Sequence, residues 1–373
     1  MTPTPTRRGA ALVAASLAFL LTVAGFAAAA GGSRDRGRAT ADAPLVLGHR
    51  GASGLRPEHT LASYELAARL GADYIEPDLV ATKDDVLVAR HENDITGTTN
   101  VAARPEFAAR KTTKKIDGVD VTGWFTEDFT LAELKTLRAK ERLPAVRQRN
   151  TIFDGRFQIP TLQEVIDLSR KLTKELGRPI GIIPETKHPT YFAGIGHDLT
   201  PLLVRTLKAN RLDDAKDRVF VQSFETANLR AIHKLLPRTK LVQLTSASGQ
   251  PYDFTVAGDK RTYAAITTPA GLKVIANYAE AIGPDKAQIV PRKPDGSSAP
   301  ATSLVADAHR AGLKVTPYTF RPENQFLPLE RRSSADPNAY GDLIGELQQY
   351  LALGVDGFFT DNPDIGVEAV RSR

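Results

Sequence analysis

From Pro44 to the C-terminus, short β-branched or apolar runs alternate with helical patterns, and this alternation restricts the chain to few folds. Leu45-Val46-Leu47, Tyr74 to Val80, Val86-Leu87-Val88, Ile180 to Ile183, Val219 to Gln222, Leu241 to Leu244, Ala287 to Val290, Lys314 to Tyr318 and Gly357 to Thr360 read as strands. Helical stretches separate most of them. Thr60 to Leu70 is N-capped by Thr60 and ended by Gly71; Leu162 to Leu176 places Leu162, Val165, Ile166, Leu168 and Leu172 near helical spacing ahead of Gly177. Others lie near Leu202 to Asn210, Thr226 to Leu236, Gly271 to Ala279, Ser303 to Ala311 and Asp342 to Leu353. Strands alternating with helices predict a parallel sheet with helical crossovers.

Such a sheet is either open and doubly wound or closed into a barrel. Nothing in the chain is like a Gly-rich dinucleotide loop. Polar residues instead stand at the downstream end of strand after strand: His49, Glu76, Asp78, Glu185, Lys187, Gln222, Tyr318 and Asp361. A (β/α)8 TIM barrel builds its active site from those strand ends, so an α/β barrel is the expected fold. Asp94 to Pro160 is too long for an ordinary loop. It reads as an insertion after the second strand, with a helix from Leu131 to Lys140 and the lone Trp124, capping the barrel mouth without forming a domain of its own.

The segment ahead of Pro44 has a different character. Arg7-Arg8 precede an apolar run from Ala10 to Ala30 that closes on Ala27-Ala28-Ala29-Ala30, the pattern of a cleaved export signal over residues 1–30. Thr6-Arg7-Arg8-Gly9 is similar to a twin-arginine signal. Residues 31–43, rich in Gly, Arg and Ala, read as a disordered lead-in to a domain spanning 44–373. The expectation is a secreted or extracytoplasmic protein with no stable membrane insertion once the signal is removed. The net charge of +6 comes from 49 Lys and Arg scattered among 43 Asp and Glu, without basic blocks, which argues against nucleic acid as a partner. With no cysteine, disulfides, thiolate metal sites and Cys nucleophiles are excluded.

Glu76 and Asp78 lie two apart on one strand and so point to one face, and Glu185 and Lys187 repeat that spacing on another. Convergent carboxylates repel unless a cation sits among them. Oxygen-only ligands select a hard divalent ion, Ca²⁺ or Mg²⁺. His49-Arg50-Gly51 follows the first strand and His91-Glu92-Asn93 follows the Val86 run, supplying two groups able to exchange protons near neutral pH and one fixed charge suited to phosphate oxygens. Together these residues imply phosphate-ester chemistry. His59, His188, His197, His233 and His309 read as structural or surface histidines, with His59 bonding inside its own loop.

Several motifs resemble the glycerophosphodiester phosphodiesterase family, and most closely its secreted or periplasmic subgroup with the long insertion. They are Gly48-His49-Arg50-Gly51-Ala52-Ser53-Gly54, Arg56-Pro57-Glu58-His59-Thr60-Leu61, Asp73 to Leu79, Thr82 to Asp85, Pro184-Glu185-Thr186-Lys187, Val221 to Phe224, Leu241 to Leu244, Ile282 to Asp285, Pro317-Tyr318-Thr319 and Gly357 to Asp361. The resemblance implies a barrel that hydrolyses glycerophosphodiesters, small-molecule substrates, to sn-glycerol 3-phosphate and an alcohol. It implies Glu76, Asp78 and Glu185 as metal ligands, for Ca²⁺ in periplasmic-type members, and His49 and His91 as base and acid. Arg50 would bind phosphate, with Glu58 and Lys187 in the same polar shell and Gln222, Tyr318 and Phe320 on the glycerol side. Glu92 stands where Asp is common, one methylene longer, and Thr186 replaces an apolar residue that alternation points away from the site. Either water or the glycerol 2-hydroxyl serves as nucleophile. A teichoic-acid or phospholipid phosphodiesterase would use the same centre behind a more open cap. An inactive extracellular binding protein would have no use for a second titrating histidine.

Overall fold

The computed structural model describes residues 43–373. Eight parallel strands close into a barrel: β1 (Leu45–Gly48), β2 (Tyr74–Ile75 and Asp78–Ala81), β3 (Gly181–Ile182 and Glu185–Thr186), β4 (Phe220–Ser223), β5 (Lys240–Thr245), β6 (Ala281–Pro284), β7 (Lys314–Val315) and β8 (Gly357–Thr360). Ladders join β1 through β7 in order and β8 to β1, Val46 facing Phe358 across β1 and β8 and Val242 facing Ala281 across β5 and β6. The bridge between Phe320 and Thr360 links the chain beyond β7 to β8 and completes the ring. Leu47, Tyr74, Ile183, Val242, Leu244, Ala281 and Phe359 fill the interior, so it is a packed core. A larger apolar cluster lies between the strands and the outer helices.

The run Tyr74 to Val80 is not one continuous strand. It breaks at Glu76-Pro77, and β3 breaks at the matching register, Ile183-Pro184; Ile75 faces Ile182 before the breaks and Asp78 faces Glu185 after them. Proline has no N–H to give the ladder. The carbonyls still serve, accepting from Glu185 N at Pro77 (3.0 Å) and from Gln222 N at Pro184 (2.9 Å). The Val86 run becomes Leu87–Ala89, antiparallel to the second half of β2 and outside the barrel ring.

The helix Leu162–Leu176 forms as its pattern indicates, with a capping box between Thr161 and Glu164 and Gly177 left-handed at its end. Leu61–Arg69 is likewise capped by Thr60. Two readings are corrected. Ala287 to Val290 is no strand: Lys286–Ile289 is helical, its first turn capped by the Asp285 carboxylate on Ala287 N (2.8 Å), and the β6 strand lies upstream. A four-residue apolar run does not distinguish the two states, and the Asp285 cap decides it. In the insertion, the helix spans only Leu131–Leu134. Ala139 and Lys140 leave the helical path because their N–H groups bond Phe157 O (2.8 Å) and Thr98 O (3.0 Å).

The insertion also carries an antiparallel hairpin, Thr112–Ile116 with Val119–Gly123. Its Ile95, Phe107, Trp124, Phe129, Leu137 and Ile159 belong to the same apolar cluster as the barrel's outer layer, so its core is shared with the barrel. Arg142 and Arg147 reach from it to Glu58 and Asp361 at the downstream ends of the strands. Among the described residues no helix is long and apolar enough to cross a membrane.

Candidate active site

A cavity of about 260 Å³ opens at the downstream ends of the strands, lined by His49, Arg50, Glu76, His91, Glu185, Lys187, Gln222 and Tyr318 among others. Strand geometry brings its acids together. Glu76, Asp78 and Glu185 are 2%, 1% and 4% exposed, and each offers a carboxylate oxygen within 4.8 Å of the others. Burial first, then the negative charges of Asp78 and Glu185, pushes the Glu76 carboxyl well above its ordinary range. Burial likewise pushes Glu185 up to about 8 although Lys187 opposes it. Asp78 behaves oppositely: burial would raise it, but Lys187 and His59 hold it well below the usual carboxylate range.

These residues suit a divalent cation. All the donors are oxygens, two of the three acids cannot comfortably ionise without added positive charge, and the buried Asp78 Oδ1 and Gln222 Oε1 have no hydrogen-bond partner. Gln222 Nε2 meanwhile donates to Glu76 Oε1 (3.0 Å).

Arg50 follows β1 in a left-handed turn (φ 56) that its neighbour Gly51 extends (φ 90). A Cβ on Gly51 would lie 2.4 Å from Ser63 Oγ, so the turn requires glycine there. The turn sends Arg50 N to Glu76 Oε2 (2.7 Å) and its guanidinium to Glu58 (2.9 Å), with Nε 3.5 Å from Asp78 Oδ2. Lys187 Nζ sits 2.7 Å from Glu185 Oε1 and 3.8 Å from Asp78 Oδ1. Two cations therefore flank the three acids, of which Glu76 and Glu185 line the cavity.

Each of the two histidines has a carboxylate behind Nδ1. His49 Nδ1 is 2.5 Å from Asp361 Oδ1, and burial, then Arg50, lowers the imidazole to about 4. Asp361 also accepts from Arg147 Nη2 (2.5 Å) and Arg321 Nε (2.7 Å). His91 Nδ1 is 2.7 Å from Glu92 Oε1. Burial, then Arg50 and Lys187, lowers His91 as well, although a quarter of its side chain (26%) is exposed and solvent softens the effect.

Besides Asp78, two residues expected to contact substrate do not line it. Glu58 is locked between Arg50 and Arg142 (2.9 and 2.8 Å), an anion that aims Arg50 and would repel a phosphate. Phe320 is fully buried, its ring against Tyr350 and Phe358 (centroids 4.9 and 5.8 Å apart). Regular β structure ends at Val315, so alternation does not carry from Tyr318 to Phe320, and Phe359 supplies the aromatic wall instead. Other residues were missed. His59 does not bond only within its loop: fully buried, it reaches Asp78 Oδ2 (2.9 Å) and Tyr64 Oη (2.7 Å). Its place beside Glu58 in an otherwise recognised motif was the available signal. Arg147 and Arg321, scattered among many arginines, gave none.

Known proteins agree with this geometry. The glycerophosphoryl diester phosphodiesterase family matches residues 49–365. A glycerophosphodiester phosphodiesterase of Arabidopsis thaliana is 38% identical over 85% of this chain and 83% of its own. One of Haemophilus influenzae is 31% identical over 88% of this chain and 90% of its own. In fold, an Oleispira antarctica phosphodiesterase, in complex with the product sn-glycerol 3-phosphate, superposes with a TM-score of 0.56 at 19% identity, over 88% of this chain and 97% of that one. The chain belongs to the glycerophosphoryl diester phosphodiesterase family.

Proposed function

We propose that the protein hydrolyses glycerophosphodiesters to sn-glycerol 3-phosphate and an alcohol in a metal-dependent reaction, and that the cation held by Glu76, Asp78 and Glu185 is Ca²⁺ or Mg²⁺. The observation that carries this is the buried carboxylate triad within 4.8 Å, set beside Arg50 at a cavity that two carboxylate-backed imidazoles also line. The names of the two relatives, and the product in the Oleispira complex, point to the same substrate class.

Arg50 and Lys187 bind the phosphodiester anion and screen its charge from the incoming nucleophile. When bound, a divalent ion supplies further neutralisation of the phosphate oxygens. Gln222 and Tyr318 line the glycerol side, and Glu58 and His59 act from behind by holding Arg50 and Asp78. His49, kept neutral, takes the proton of the nucleophile, whether water or the glycerol 2-hydroxyl. His91 gives a proton to the leaving alcohol. Burial of the acids is what makes these charges act strongly on one another.

The export signal read in residues 1–30 lies outside the described residues, and secretion of the mature chain is part of the same proposal. The deciding experiment incubates purified protein with a panel of glycerophospho-alcohols, measuring sn-glycerol 3-phosphate before and after a chelator and after Ca²⁺ or Mg²⁺ is restored. Product that disappears with chelator and returns with one of the ions supports the reading. Undiminished turnover in excess chelator overturns it.

A further inference from the structure

His188 lies just beyond β3 with left-handed backbone (φ 49), a conformation uncommon outside glycine. The sequence offered it no role, yet acids meet both its ring nitrogens. Nε2 is 2.8 Å from Glu92 Oε2, and Nδ1 is 2.7 Å from Asp117 Oδ2. Asp117 is itself left-handed (φ 45), in the turn of the insertion hairpin. The other Glu92 oxygen is the one that meets His91 Nδ1 at 2.7 Å. Three separate chain segments thus form one line, from His91 through Glu92 and His188 to Asp117. Burial opposes charge on the His188 ring, but its bonds to Asp117 and Glu92 push it up to about 9, so at neutral pH both ring N–H groups donate.

Glu92 has several soft torsions and a side chain 46% exposed, and a glutamate in that position, left to itself, samples many rotamers. A wandering carboxylate would orient an imidazole poorly. We propose that His188 is a positioning residue: anchored by Asp117, it pins Glu92, and Glu92 in turn fixes His91 with Nε2 as the nitrogen free for the leaving alcohol. This explains how the glutamate's extra methylene is used, since one carboxylate has to span two imidazoles. It rests on the reading of His91 as the group that protonates the alcohol.

A plain alternative is that His188 and Asp117 only staple the insertion to the barrel, and kinetics on two leaving groups separates the two cases. His188→Ala, His188→Gln, Asp117→Asn, His91→Ala and the His188→Ala/His91→Ala double variant are assayed on glycerophosphocholine and on a nitrophenyl ester of glycerol 3-phosphate, with Tm recorded for each. Positioning predicts that His188→Ala lowers kcat about 10- to 100-fold on the choline diester with KM little changed, and less than about threefold on the nitrophenyl ester, whose leaving group needs little proton assistance. His188→Gln, which keeps one donor for Glu92, recovers part of the loss, and Asp117→Asn shows a smaller loss of the same kind. The double variant is no worse than His91→Ala alone. Equal losses on both substrates, or a double variant clearly worse than His91→Ala, would overturn the proposal in favour of a staple. If His91→Ala itself shows no leaving-group dependence, the acid reading falls, and this proposal with it.

Discussion

His49 and His91 face the same cavity and each has a carboxylate behind Nδ1, but the ground behind those carboxylates differs. Asp361 is 1% exposed, and with Glu323 it is matched by the guanidinium groups of Arg147 and Arg321, so the charges cancel. Glu92 is 46% exposed, and with Asp117 it shares a single cationic His188, which leaves one negative charge over. That extra negative charge favours an imidazolium at His91, the direction required if His91 is the acid and His49 the base, but in the free protein the imidazole is lowered further at His91, to about 3, than at His49, to about 4. In the free protein Arg50 and Lys187 add to the burial that disfavours charge on His91, and those two cations are the ones a phosphodiester anion would meet. The pair teaches that two like dyads can be driven apart by the net charge one layer further back.

The largest expected effect falls on what both histidines serve. Asp78→Asn or Glu185→Gln should lower kcat/KM by about 10³-fold or more on every substrate, because each takes an anionic ligand from the cation that the triad would hold. Calorimetric titration with Ca²⁺ should show the same loss of binding, and retained activity without binding would separate the triad from the chemistry.

The next test probes the two dyads themselves. His91→Ala should lose about 10²- to 10⁴-fold on a choline diester and far less on a nitrophenyl ester, while His49→Ala loses comparably on both. The reverse pattern would exchange the two roles and undo the charge argument above.

Stability should divide along the same line. Asp361→Asn leaves the buried Arg147 and the partly exposed Arg321 without their shared anion and should cost about 3–5 kcal/mol in urea unfolding. Glu92→Gln, in a half-exposed pair, should cost about 1 kcal/mol or less. Similar costs for both would mean that burial is not what distinguishes the two sides.

The smallest effect is a pH slope. Glu76 is raised well above its ordinary range and Glu185 to about 8, while His49 and His91, lowered in the fold, offset them below about 6.5, so it is between about 6.5 and 8 that the folded metal-free protein binds more protons than the unfolded chain. Stability of the chelated protein should therefore fall as pH rises through that window, by roughly 5 °C in Tm. Saturating Ca²⁺ should flatten the slope, since the bound cation lets both carboxyls ionise in the fold. Asp361, held low by Arg321 and Arg147 despite its burial, acts in the other direction: its contribution is present above about pH 4 and lost only in stronger acid.

The amino-acid sequence by itself determined whatever is encoded within a turn or two of chain. The periodicity of Leu162 to Leu176, its Thr161 and Gly177 caps, the cap at Thr60, and the spacing of Glu76 with Asp78 and Glu185 with Lys187 each depend on neighbours a few residues away. The βα alternation and the polar strand ends indicated the barrel for the same reason. Where local signals were evenly balanced they misled, as at Ala287 to Val290, which folds as a helical turn under Asp285. Closure of the barrel decided the rest. It set Asp361 against His49 across 312 residues of sequence, drew Arg147 out of the insertion to hold that aspartate, and brought Asp117 to His188 across 71. It also turned Phe320 outward and put Phe359 in the cavity. The physical reason is that a side chain's charge partners are fixed by strand register and by which loops meet over the barrel mouth, and neither leaves a periodic trace in the chain.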